Sequence, residues 1–123
     1  MKKIKIRAGQ LEMEAELNES SVAQKVWKIL PIKAQTNTWG EEIYFEIPLK
    51  TELENPQEEV KEGDLGYWPP GRAFCIFFGL TPASSPGHIR PASEVEVIGK
   101  VLGNPKKFGQ VSSGESVFIE KQT

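Results

Sequence analysis

Ile4-Lys5-Ile6-Arg7-Ala8-Gly9-Gln10-Leu11-Glu12-Met13-Glu14-Ala15-Glu16-Leu17 is the stretch whose reading decides the fold. Ile4 to Arg7 alternates apolar with basic residues, and Leu11 to Leu17 alternates apolar with Glu without a break. A period of two puts one face of a strand in the core and the other in water. Ala8-Gly9-Gln10 is a turn, so the two runs form an antiparallel hairpin. Its outer face sets Lys and Arg against Glu12, Glu14 and Glu16, each pair contributing roughly 0.2–1 kcal/mol.

Beyond the hairpin the period changes to near 3.6. Ser21 is the expected helix cap, with Gln24 three residues on completing a capping box. Val22, Ala23, Val26, Trp27 and Leu30 make one apolar stripe, and Pro31 ends the helix. After it the chain returns to strand patterns. Ile43-Tyr44-Phe45-Glu46-Ile47 is the first, and Gly63 to Trp68 the next, ending in the rigid turn Pro69-Pro70-Gly71. Ala73-Phe74-Cys75-Ile76-Phe77-Phe78 is continuously apolar, as a central strand would be. Val95 to Ile98 and Val117 to Ile119 complete the set. Thr51 to Glu62 reads as a solvated Glu-rich loop, and Leu80 to Pro91 as a loop of Pro, Ser and Gly. Short strands, frequent turns and one early helix predict a mainly β protein, a closed antiparallel β-barrel with Val22, Val26, Trp27 and Leu30 over one opening.

Composition bounds the rest. The 123 residues suit a single domain, 1–123, and no linker or repeat divides them. No apolar run approaches the roughly 18 residues that cross a bilayer. The opening Met-Lys-Lys-Ile-Lys-Ile-Arg reads as a strand rather than a signal peptide. With Cys75 the sole cysteine, no internal disulfide forms, and a reducing, cytoplasmic setting is expected. A net charge of −2 with dispersed Lys and Arg argues against nucleic acid as a partner. All but one of the acidic residues are Glu and Lys outnumbers Arg, a bias shared with thermostable proteins rich in ion-pair networks.

The same inventory restricts chemistry. Asp64, His88 and Cys75 are each the only residue of their type. No set of ligands for a metal ion is visible, nor a nucleophile elbow, nor a phosphate loop, so no cofactor is expected. Cys75, mid-strand between apolar neighbours, reads as buried and inert. Glu41 and Glu42 are adjacent, so on a strand they point to opposite faces and cannot form a catalytic pair.

Two segments then carry a family resemblance. Thr38-Trp39-Gly40-Glu41-Glu42-Ile43-Tyr44-Phe45 and the run from Gly63-Asp64-Leu65-Gly66-Tyr67-Trp68 through Pro69-Pro70-Gly71-Arg72 to Gly79-Leu80-Thr81-Pro82 resemble signatures of a small prokaryotic family of cyclophilin-like proteins of unknown function. The chain is more distantly similar to the cyclophilins, which are peptidyl-prolyl isomerases. Trp39-Gly40-Glu41 resembles a cyclophilin Tyr-Gly-Glu segment, and Gly99-Lys100-Val101 a late Phe-Gly-Lys-Val strand. Phe77-Phe78 resembles the paired phenylalanines beside the cyclophilin cleft. Cyclophilins carry their catalytic arginine in a Phe-His-Arg segment, and only Ile32 to Thr38, without Arg, stands before Trp39 here. The resemblance therefore implies the barrel and a cleft but not the catalytic segment.

Candidate groove residues follow. Trp39 and Trp68 adjoin turns, where binding side chains concentrate. Tyr44 and Phe77 belong to the same aromatic group, whereas Phe74, Ile76 and Phe78 share the opposite, core face. Arg72, held by the Pro-Pro-Gly turn, is the first replacement for the missing arginine. Thr81, His88 and Arg90 lie on the Leu80–Pro91 loop. Three readings stay open: a module binding a small molecule or peptide, a weak isomerase with a rebuilt site, or a non-catalytic subunit of a larger assembly. Oligomeric state is not encoded in these patterns.

Overall fold

The computed structural model describes residues 2–122. The hairpin comprises β1 (Lys2–Ala8) and β2 (Leu11–Leu17), in a register that sets Lys3 opposite Glu16, Lys5 opposite Glu14 and Arg7 opposite Glu12. Arg7 Nε donates to Glu12 at 3.0 Å, while Ile4, Ile6, Met13 and Ala15 turn inward and are buried. One glycine makes the turn: Gly9 has a φ of 59°, backbone that residues with a Cβ rarely adopt.

Helix α1 (Ser21–Lys28) follows. Its cap is Ser20 rather than Ser21: the Ser20 hydroxyl accepts from the Ala23 amide at 3.1 Å, and Gln24 bonds the Glu19 carbonyl instead of closing a box. Val22, Ala23 and Val26 are buried against β2 and the barrel core. Trp27 is partly covered, with the ammonium groups of Lys2 and Lys121 about 5 Å from its ring.

Two strands lie where the sequence showed no strand pattern, β3 (Ile32–Gln35) and β4 (Asn37–Thr38). Then come β5 (Glu42–Glu46), β6 (Asp64–Trp68), β7 (Ala73–Phe77), β8 (Glu96–Val101) and β9 (Ser116–Lys121). Among the described residues these nine strands form one antiparallel sheet in the order β3-β9-β1-β2-β8-β6-β7-β5-β4. Only Thr36 separates β3 from β4. The first pairs with β9 and the second with β5, so the sheet curls round into a nearly closed barrel with almost no free edge.

The β5–β7–β6 wall has two buried faces. Ile43, Phe45, Leu65, Tyr67, Phe74, Ile76 and the following Phe78 point into the barrel core. Ala73, Cys75 and Phe77 point out, into a second small core shared with Val60 and Val95. The segments carrying those two valines cross the wall and are tied down by single bridges, Gln57 to Val95 and Val60 to Ile89.

Candidate functional site

The covering segments leave a cleft against the outer side of β5. It encloses about 230 Å³ and is lined by Trp39, Glu42, Tyr44, Trp68, Pro91 and Ala92. Strand alternation explains the set. Glu42 and Tyr44 are two apart on β5, so both face outward from a strand whose Ile43 and Phe45 fill the core. Trp68 ends β6, and its ring meets Tyr44 edge-on, centroids 6.5 Å apart at 73°. The Trp68 indole N–H donates to Ser93 Oγ at 2.7 Å, which also fixes the segment carrying Pro91 and Ala92.

Trp39 leads into the two-residue turn Gly40-Glu41 between β4 and β5. Trp39 and Glu42 exchange both backbone hydrogen bonds, at 2.9 and 3.2 Å. Gly40 has a φ of 61°, and a Cβ there would stand 2.9 Å from the Leu80 carbonyl oxygen and from Thr81 Cα. Only glycine lets this turn press against the next loop, and that contact fixes the position of Trp39.

Glu42 is the chemically unusual member. It is only 6% exposed, and among the described residues no cationic side chain pairs with it. Burial raises its carboxyl from 4.5 to about 7, an increase that the neighbouring Cys75 thiol partly offsets. Cys75 stands behind it, fully buried; burial and then the neighbouring carboxylate push its thiol well above the ordinary range. Glu96, the other deeply buried glutamate, differs: its Oε1 accepts the Glu54 and Asn55 amides at 2.9 and 2.8 Å. Glu96 anchors a loop, whereas Glu42 opens onto a cavity.

Of the residues singled out from sequence, Trp39, Tyr44 and Trp68 come together at this cleft. Phe77 lies on the same face but is wholly covered, closed over by the second core. Thr81 is buried and structural: its hydroxyl donates to the Arg90 carbonyl and shares Ser84 Oγ at 3.0 Å, cinching the loop. Arg90 lines an adjoining hollow with Glu58, Ala83 and Glu94. His88 pairs with Glu59 at 3.0 Å on the exposed outside of the loop. Arg72 is exposed at a φ of 48°, the last residue of the β6–β7 turn, and does not line the cleft. Glu42 does not stand out in the sequence, where it reads as one of a pair with Glu41. Its i, i+2 relation to Tyr44 was the signal available.

The architecture is a nearly closed antiparallel barrel with one early helix. The chain belongs to the cyclophilin-like family, whose profile matches residues 2–120. It is similar to the hypothetical protein AF2241 from Archaeoglobus fulgidus, known from a solution structure, with 41% identity and a TM-score of 0.81 over 98% of this chain and 95% of that one. A second structure, McbB in complex with tryptophan, shares the fold at 14% identity and a TM-score of 0.75, matching 97% of this chain and 44% of McbB. No curated protein matches the chain. Among the described residues no helix is long and apolar enough to cross a membrane.

Proposed function

We propose that this barrel is a binding module that holds a small organic ligand in the cleft between Trp39, Tyr44 and Trp68. The observation carrying the reading is the preformed apolar pocket with a single buried polar group, Glu42, among its lining residues. Ligand sites combine apolar and aromatic walls with a few placed polar groups in this way. At about 230 Å³ the cleft falls below the roughly 300–1,000 Å³ of sites for drug-sized molecules, so the ligand is small or inserts only a head group. That McbB, on the same fold, was captured with tryptophan is consistent with a small aromatic or amine-bearing guest.

The isomerase alternative has less support. Twisting an X–Pro bond crosses a barrier of about 18–20 kcal/mol, and catalysis needs a group that favours the twisted amide. Neither Arg72 nor Arg90 lines the cleft. The assembly reading rests on little exposed apolar surface, with Leu80 and Leu102 the large apolar side chains left open among the described residues.

A fragment screen read by the indole N–H resonances tests the binding reading. Fragments that bind should shift Trp39 and Trp68 and leave Trp27, on the helix, in place. Fragments that move all three equally, or a library that moves neither cleft indole, would remove this function.

A further inference from the structure

The identity of the polar group in the cleft narrows the ligand. Three aromatic rings and one carboxylate surround the cavity, each aromatic offering a face or edge to the same small space. Aromatic rings carry negative potential on their faces and attract cations, most strongly when water is excluded. A buried carboxylate without a counter-ion adds a full charge of the same sign when it ionises. Resting on the binding reading above, we infer that the Trp39–Tyr44–Trp68 cleft is a cage for a methylated ammonium head group, with Glu42 as its counter-ion.

Three observations support a small cation as the guest. First, the side chain is not satisfied from within. Glu96 shows how this barrel treats a glutamate that serves the fold, giving it two backbone N–H donors, whereas the nearest donor to Glu42 is the Cys75 thiol, whose own hydrogen bond runs to the Ala73 carbonyl. Second, the groups around it leave the charge unanswered. From β7 come Cys75 and the ring of Phe77; from β5 itself, Tyr44; from the turn, Trp39 and Glu41, the latter held by Lys106 at 3.4 Å. The loop above contributes Pro91 and Ala92, and its charged members Arg90 and Glu94 line the neighbouring hollow with Glu58. Third, size agrees. At about 230 Å³ the cleft has room for a small head group but not for a long chain.

A methylated ammonium suits the cage better than a bare one. Its positive charge is spread over methyl groups that pack on rings, and it sheds water more readily than a primary ammonium. The free carboxyl titrates near 7, so a permanently charged guest should bind more tightly as Glu42 ionises. Between about pH 6 and about pH 8 the ionised fraction rises from about one tenth to about nine tenths, and affinity should rise about tenfold.

Calorimetric titration with choline tests this, with the uncharged isostere carrying carbon in place of nitrogen as control. Choline should bind at about pH 8, weaken about tenfold at about pH 6, and bind at least about tenfold more tightly than the isostere. Glu42→Gln should lose the pH dependence while still folding, since the amide matches the carboxyl in shape. A peptide containing trimethyl-lysine forms a parallel arm: affinity above that of choline identifies a modified lysine as the source, and equal or lower affinity a free small cation. An isostere that binds as tightly as choline, or a pH response that survives Glu42→Gln, overturns the cation cage and leaves the aromatic cleft standing. Failure of every cation in a protein whose cleft indoles still respond to neutral fragments would also overturn it without touching the binding reading.

Discussion

The two faces of the β5–β7–β6 wall are made from alternate residues of the same strands, yet they are built to different standards. Inside, Phe45 and Phe74 stack with centroids 5.3 Å apart, and Tyr67 is fully buried with its hydroxyl on the Leu49 carbonyl at 2.6 Å. Outside, the cover consists of loop segments fixed by isolated bridges, and it leaves Tyr44 and Trp68 partly open above an uncompensated glutamate. Interiors reach crystal-like packing when stability is all that is at issue. The looser outer face, with its buried acid, is where the proposed site lies, as strained or destabilising groups often mark one.

The contrast makes quantitative predictions. Removing the inner ring by Phe45→Ala leaves a cavity in the main core and should cost about 3–5 kcal/mol in chemical denaturation. Trp68→Ala removes a larger side chain from the open face, yet should cost less than half as much. Equal losses would break the distinction between the faces.

A smaller effect should appear as a pH dependence of stability. The Glu42 carboxyl is raised in the folded state, so folding favours its proton. Its contribution is fully present below the unfolded value of 4.5 and is lost as pH rises through about 7. Over that window the wild type should lose up to about 3 kcal/mol relative to Glu42→Gln, whose side chain does not titrate. Parallel pH profiles of the two proteins would show that Glu42 is solvated rather than buried. The smallest expected change is at Arg72, which holds a left-handed φ of 48°. Arg72→Gly should be neutral or stabilising by up to about 1 kcal/mol, because glycine adopts that backbone without strain. A clear loss of stability would give the Arg72 side chain a role that its exposure does not suggest.

What the sequence made legible follows the same divide. The inner face announces itself through alternation: the β1–β2 hairpin, its charge pairing, and the separation of Phe74, Ile76 and Phe78 from Phe77 are all local patterns. The strands β3 and β4 were not visible, because Ile32-Lys33-Ala34-Gln35 and Asn37-Thr38 are short and mostly polar. They are strands only because β9 and β5 supply partners from far along the chain. The aromatic members of the cleft could be named because they flank turns. Glu42 could not, since a buried acid inside a pair of glutamates looks like a solvated one until the loop that covers it is placed. The same holds for Arg72, Thr81, His88 and Arg90, whose surroundings are set by how the 80–95 segment folds back.

On the proposed reading, the outer cleft binds ligand and the inner face holds the fold. The double variant Trp39→Ala with Trp68→Ala, compared with wild type for its amide spectrum and its affinity for the tightest cleft ligand, tests this most directly. Amide resonances of β1, β2, β8 and β9 should stay in place while affinity falls at least about a hundredfold, each lost ring contact contributing about a factor of ten. Retained affinity in a folded double variant would contradict it.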